Sequence, residues 1–275
     1  MSDKKDAVGD RMKRYEGVPR HSLMTRTPVI VRVDGRAFHT YTRGMERPFD
    51  KILQNAMVES AIQVAKEMSG FKLGYTQSDE ASFLLTDWDT LETQPWFDYD
   101  QQKLASLCAS IMTAHFNKII HDSINSLWQS WAEKGAGNPQ PHPFPKALAA
   151  FDGRAFNIPI GPEIVNYFLW RAKDWERNSL SMVALSHFSA KQLHGKKKAD
   201  MHEMLYKKGV NWTKDFDAMS RNGTFIVRTE GPTCVPNGRD KNFMKLSPAP
   251  SYSSLSAIVG PIIGIDLTSK VGGGK

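Results

Sequence analysis

The strongest constraint on this chain's fold is the order in which its hydrophobic period changes between residues 28 and 158. Residues 28–33 are a short β-branched run ending in Asp34-Gly35, which reads as a buried strand followed by a tight turn. Over 50–68 the apolar residues Ile52, Leu53, Ala56, Met57, Ala61, Val64 and Ala65 recur at helical spacing, with Gly70 as a stop. Residues 71–76 and 81–86 read as two strands joined by the polar turn Gln77-Ser78-Asp79-Glu80. A second helix runs from about Asp100 to beyond Asn117, with Leu104, Leu107, Ile111 and Phe116 turned inward. After a Gly/Pro-rich loop over 135–145, residues 148–158 resume as a strand, which Asp152-Gly153 is expected to bend or bulge. The succession strand, helix, strand, strand, helix, strand is the split βαβ, ferredoxin-like α+β pattern, which polymerase palms share.

Beyond Pro162 the spacing turns helical, with three helices expected over 163–177, 179–187 and 190–208, and a late strand over 224–228. The chain therefore divides into a palm-like catalytic domain over 1–160, a mainly helical C-terminal region over 161–240 and an extended tail of unknown role over 241–275. With 275 residues, 40% hydrophobic, it can bury a sizeable core. Its longest apolar stretches fall far short of the roughly 20 residues that cross a bilayer as a helix. The charged amino terminus carries no secretory pattern, so a cytoplasmic location with no membrane partner is expected. Cys108 and Cys234 form no Cys-x-x-Cys pair and are expected to be buried thiols. A net charge of +7 favours an anionic partner.

The chemistry is expected at Asp34 and Asp79. In a ferredoxin-like sheet the first and third strands are antiparallel neighbours, so the end of one faces the start of the other. Two carboxylates distant in sequence then share one rim, a geometry suited to hard divalent cations. Gly35 lets the backbone come close to a metal or phosphate, and its carbonyl is a candidate third ligand. Neighbouring side chains in extended backbone point to opposite faces, so Asp79 is chosen for the rim and Glu80 for a salt bridge or hydrogen bond beneath it. Taken singly, each acid is better read as a turn residue. Arg32, Arg36, Arg47 and Lys103 are candidates to hold a triphosphate, against a solvated surface charge as the alternative for each. His39 is open between a base or phosphate contact and a helix cap. Lys196, Lys197 and Lys198 are a candidate RNA-backbone contact or a solvated helix face. No phosphate-binding Gly-x-x-x-x-Gly-Lys-Ser/Thr loop, His-Glu-x-x-His helix or Gly-x-Ser-x-Gly elbow is present.

Val31-Arg32-Val33-Asp34-Gly35-Arg36-Ala37-Phe38-His39, then Arg47-Pro48-Phe49-Asp50, then Gln77-Ser78-Asp79-Glu80-Ala81-Ser82-Phe83 resemble the signature blocks of the tRNA-histidine guanylyltransferase family. Phe151-Asp152-Gly153-Arg154 and Tyr167-Phe168-Leu169-Trp170-Arg171 follow in the family's order, so the resemblance spans about residues 25–228. It implies a palm-type enzyme working in the 3′ to 5′ direction, with two Mg²⁺ ions, GTP as substrate, ATP as a candidate activating nucleotide, and tRNA as the acceptor. It further implies catalytic roles for Asp34, Asp79 and Glu80, and metal ligation by Asp34, Gly35 and Asp79. Arg32, Arg36, Phe38, His39, Arg47, Asp50, Ser78 and Lys103 fall to the nucleotide, and Arg171, Asn178 and Lys196 to Lys198 to RNA. A homo-oligomer, tetramer or dimer, is implied as well. Departures are local. Arg47 stands for the usual Lys, Thr76 for a Gly, and Asp100-Gln101-Gln102 lacks the basic pair expected before Lys103. Glu176-Arg177-Asn178-Ser179 keeps only the first Asn of the eukaryotic His-Ile-Asn-Asn block.

The leading expectation is addition of guanylate to the 5′ end of histidine tRNA. Template-directed repair of 5′-truncated tRNAs is its sibling, separable by offering full-length and truncated acceptors. A non-catalytic RNA-binding palm is the contrasting class. Against it stands the retention of Asp34 and Asp79, since facing carboxylates repel each other without a cation. A palm-fold nucleotide cyclase would act on free triphosphate alone.

Overall fold

The computed structural model describes residues 7–134, 142–143, 145–228 and 243–267. In chain order the elements begin with α1 (Ala7–Gly17), β1 (Val29–Gly35), α2 (Phe38–Tyr41), α3 (Lys51–Glu67), β2 (Phe71–Gln77) and β3 (Glu80–Leu85). A 3₁₀ turn at Trp96–Tyr99 leads into α4 (Gln101–Glu133), followed by β4 (Phe151–Asn157) and α5 (Pro162–His187). The remainder comprises α6 (Ala190–Leu193), α7 (Lys198–Lys207), α8 (Trp212–Asp215), α9 (Ala218–Asn222), β5 (Thr224–Arg228), β6 (Phe243–Leu246) and α10 (Tyr252–Ile263).

The described strands form one antiparallel sheet in the order β4-β1-β3-β2-β5-β6. Its first four members have the ferredoxin-like order, and β1 lies between β3 and β4. Strand alternation separates two cores. Val29, Val31, Val33, Ala81, Phe83 and Leu85 face α3 and α4, whereas Ile30, Leu73, Tyr75, Leu84 and Phe225 face α5 and α10. Capping fixes where the two helices behind the sheet begin: Asp50 accepts from the Leu53 amide at 3.0 Å, and Asp100 from the Lys103 amide at 3.1 Å.

Several expectations from sequence give way here. The β4 register runs unbroken from Phe151 to Asn157, without a bulge at Gly153. Gly153 serves close packing instead, because a Cβ there would stand 2.3 Å from the Ala105 carbonyl oxygen of α4. The two helices expected over 163–187 are one, since the Ser179 hydroxyl donates to the Glu176 and Arg221 carbonyls and its residue stays helical. Conversely, the helix expected over 190–208 breaks at Gly195, whose φ of 73° lies in the left-handed region. Lys196 and Lys197 thus precede α7 and only Lys198 belongs to it.

In place of an extended tail, β6 pairs with β5, and α10 buries Leu255, Val259 and Ile263 against the second core. Sheet and cores also run across the expected boundary at residue 160. Cys108 is buried, and burial pushes its thiol well above the ordinary range; Cys234 lies outside the described residues. No helix among the described residues is long and apolar enough to cross a membrane.

Because α4 backbone lies directly on Gly153, Gly153→Ala is expected to cost about 1–3 kcal/mol by overpacking. A thermal melt should show a loss of several degrees, and an unchanged midpoint would contradict the packing described.

Candidate active site

Asp34 is the second-to-last residue of β1, directly opposite Glu80 on β3 and Asp152 on β4. Ser78 and Asp79 form the tip of the β2–β3 hairpin between the paired residues Gln77 and Glu80. The hairpin is tied to β1 by the Gly35 amide, which donates to the Asp79 carbonyl at 2.9 Å. At Gly35 a Cβ would fall 2.9 Å from Asp79 Cβ and 2.3 Å from the Phe38 ring, so only glycine lets β1 approach the hairpin this closely. Ala37 and Ser78 both occupy the left-handed region, with φ of 53° and 49°. For residues with a Cβ this costs about 1–2 kcal/mol each, and the strain sits on both sides of the rim.

Beneath the rim lies a buried ion-pair node. Glu80 is 4% exposed, and its Oε2 accepts from Arg32 Nη2 at 2.6 Å and from Arg171 Nη1 at 2.8 Å. Gln77 adds a hydrogen bond to the same oxygen at 3.2 Å, whereas Glu80 Oε1 has no partner. Burial raises the Glu80 pKa, opposed by the charges of Arg32 and Arg171. Arg32 also reaches Asp34, with Nη2 3.6 Å from Oδ1. Burial raises the Asp79 pKa as well, Ser78 hydrogen bonding opposes it, and the charge of Asp34 pushes it further up. A carboxylate whose ionised form is opposed by a neighbouring negative charge gains from a nearby cation.

Asp34, Asp79 and the Gly35 carbonyl provide hard oxygen donors of the type Mg²⁺ takes, one or two carboxylates with the remaining positions left to water and phosphate. Among the described residues no group of three or more His, Cys, Asp or Glu is placed to hold an ion. A cation at this rim would take its remaining ligands from water and phosphate oxygens. Gly35 and Asp79 also line a cavity of about 610 Å³ that opens between the hairpin, the start of α3 and the second half of α5. Its walls mix polar groups with apolar ones such as Leu53, Met57 and Trp175.

The other expected site residues divide. His39 and Arg47 are exposed on the cavity wall, which Ser78 also lines. Phe38 borders the cavity but is buried against Tyr41, Phe116 and Phe151. Asp50 is consumed as the α3 cap, accepting also from the Glu46 amide and pairing with His142. Arg36 is exposed outside the cavity wall, and Lys103 lies on α4 with its ammonium 6.0 Å from the Phe97 ring centroid. Arg171, expected on RNA, is 6% exposed and spent on Glu80 and Asp174. Asn178 leans on Asp174 at 3.5 Å, and Lys198 pairs with Glu176 at 2.8 Å, while Lys196 and Lys197 are exposed.

Sequence reasoning missed the cavity wall supplied by Trp175, Met182, Leu185, Ser186 and Thr224. These residues carry no local motif. The one usable signal is Met182 and Leu185, apolar at helical spacing yet exposed. From the node a stability effect follows: Arg171→Ala leaves Glu80 with half its guanidinium partners and is expected to cost about 3 kcal/mol. Thermal melting measures it, and a midpoint within a degree of wild type would remove Arg171 from its supporting role.

Comparison with known proteins places the chain in a family. A family model described as "Thg1: tRNAHis guanylyltransferase" matches residues 9–159. A tRNA(His) guanylyltransferase of Neurospora crassa is 28% identical over 254 residues, covering 86% of this chain and 80% of its own. A probable tRNA(His) guanylyltransferase of Drosophila melanogaster is 27% identical, covering 75% and 69%. Among solved structures, a bacterial tRNA(His) guanylyltransferase (Thg1)-like protein in complex with ATP aligns with TM-score 0.72 and 40% identity over 86% of this chain and 92% of that one. A bacterial Thg1-like protein in complex with GTP aligns with TM-score 0.72 and 36% identity, covering 94% and 99%. By sequence and fold, the chain belongs to the tRNAHis guanylyltransferase family.

Proposed function

We propose that this protein is a Mg²⁺-dependent 3′–5′ nucleotidyltransferase that adds guanylate to the 5′ end of tRNA(His). The observation that carries the reading is that Gly35, next to Asp34, is tied to Asp79 where these two residues line a cavity of about 610 Å³, in a chain whose solved relatives are described with ATP and GTP. In the reaction the 3′ oxygen of the incoming guanine nucleotide forms a bond to the 5′ phosphorus of the activated RNA end. The bond from that phosphorus to its leaving phosphate breaks, the leaving group takes the electron pair, and the hydroxyl proton passes to solvent.

Asp34 and Asp79, with the Gly35 carbonyl, would hold Mg²⁺, two ions in the full site. When bound, Mg²⁺ neutralises phosphate charge and acidifies the attacking hydroxyl. The protein's own part is positioning. The hairpin and β1 fix the two carboxylates, Glu80 holds Arg32 against Asp34, and Arg47 and His39 lie on the wall where triphosphate oxygens would be met. Cytoplasmic location and assembly of several copies are carried into this proposal from the family resemblance.

A second reading, repair of 5′-truncated tRNAs by pairing, is favoured by one observation. Where eukaryotic relatives carry His-Ile-Asn-Asn, this chain has Glu176-Arg177-Asn178-Ser179, and these side chains are engaged within the fold. Glu176 pairs with Lys198, Arg177 with Asp174, Asn178 leans on Asp174, and the Ser179 hydroxyl meets backbone carbonyls.

Asp34→Ala and Asp79→Ala are expected to abolish turnover at saturating Mg²⁺ with folding retained, and near-normal turnover would remove that residue from the site. Because the folded-state pKa of Asp79 is raised, its ionised form costs stability at neutral pH, and the cost fades as pH falls through that pKa. Asp79→Asn should therefore melt higher than wild type in EDTA at pH 7, with the gap closing in acid; a lower melt would contradict the electrostatics described. Labelled GTP offered with full-length or 5′-truncated histidine tRNA separates the two readings. Labelling of the full-length acceptor supports guanylate addition, preference for the truncated one supports repair, and neither product contradicts both.

A further inference from the structure

The positioning scheme above leaves one exposed aromatic residue unused. Trp170 is 57% exposed on α5, yet its ring is held on two sides. The Arg171 guanidinium stacks 3.7 Å from the ring centroid, and Tyr167 meets it at 6.1 Å in a T-shaped arrangement. Arg171 is itself fixed by Glu80 and Asp174, so the indole has a set orientation with its other face open. Exposed single aromatics are ordinary on protein surfaces. Such fixing by the node beneath the catalytic rim is not.

Helical periodicity gives the direction of the ring. Tyr167 packs over the sheet, with its hydroxyl 2.9 Å from Ser82 of β3 and its ring against Phe156 of β4. Phe168, one position on, turns to Phe225 of β5. At 3.6 residues per turn, Phe168 and Trp170 flank Tyr167 on opposite sides, so Trp170 turns toward the β4 edge. Directly paired residues share a face of a sheet, and on that face β1 and β4 set Arg32 opposite Arg154 and Asp34 opposite Asp152. Arg154 is exposed there, its nearest ionic partner Asp152 at 3.2 Å. Neither Trp170 nor Arg154 lines the 610 Å³ cavity.

The cavity thus lies along one part of the acidic rim, and outside it, on the α5 side of the sheet, stand an oriented indole and an exposed arginine. A transfer between two nucleotide-bearing partners needs two such places. We propose that the open face of Trp170 is a stacking platform for the terminal base at the 5′ end of the RNA acceptor, with Arg154 beside it for the adjoining backbone phosphate. This rests on the RNA-end reaction proposed above. A π-face accepts any base, so the platform positions the acceptor end without reading its sequence, and a guanidinium suits phosphate.

The test uses the full chain and an acceptor-stem RNA hairpin with one unpaired 5′ nucleotide, with hairpin and GTP affinities measured separately. Trp170→Ala is expected to raise the hairpin Kd about tenfold or more, the scale of one lost base–aromatic stack, with GTP affinity unchanged. Trp170→Phe should recover most of the loss. Trp170→Leu, which still backs Arg171 with apolar bulk, should not. Wild-type hairpin affinity in Trp170→Ala, a parallel loss of GTP affinity, or full recovery by Trp170→Leu would each overturn the assignment. If the wild-type protein bound GTP but no hairpin, the RNA-end reaction itself would fail and this platform with it.

Discussion

Everything at the site rests on Glu80, a buried carboxylate between two guanidinium groups. Burying a single ionised acid is costly, and the cost is offset only where opposite charges and hydrogen bonds meet it. Arg32 comes from the β1 strand that ends in Asp34, and Arg171 from the helix that covers the sheet, so the node ties both to the hairpin carrying Asp79. Arg32, 3.6 Å from Asp34, also tempers the repulsion between Asp34 and Asp79 without neutralising it.

Around the node the backbone is held in positions it would not choose locally. Ala37 and Ser78 adopt left-handed conformations, and Gly35 admits a contact that no other residue permits. Such strain persists only where surrounding packing over-determines it. Here the packing is the aromatic group of Phe38, Tyr41, Phe116 and Phe151 on one side and the hairpin on the other. Phe38, which the motif comparison assigns to nucleotide, thereby acts on the site through the shape of the chain leaving β1.

The palm was legible because its signals are periodic and local: β-branched runs, a polar hairpin turn, and apolar residues at helical spacing over α3 and α4. Glu80 does sit in an ion pair beneath the rim as expected, but Asp79 lies in the hairpin turn, so the turn and not strand alternation sets the two apart. What was not legible depends on tertiary partners. The pentapeptide Asp-Gly-Arg-Ala-Phe occurs at 34–38 and at 152–156, yet the first copy leaves its strand at a left-handed Ala37 and the second runs straight through β4. Identical residues take different paths because α4 backbone lies on Gly153 and the Phe38 ring lies by Gly35. Arg171 reads as a free cation in sequence, and only the fold supplies Glu80. The segment holding α10 reads as loop because Pro248, Pro250 and a run of serines precede it, whereas Ser251 is the helix cap and Leu255, Val259 and Ile263 find the second core.

The proposed function requires that Asp34 and Asp79, set together by this scaffold, hold divalent metal against a nucleotide's phosphates. Crystals grown with GTP and Mn²⁺ and measured for anomalous scattering check this requirement. Mn²⁺ density is expected within about 2.5 Å of carboxylate oxygens of both residues and in contact with phosphate. Density elsewhere, or a bound nucleotide with no metal between these two side chains, would contradict it.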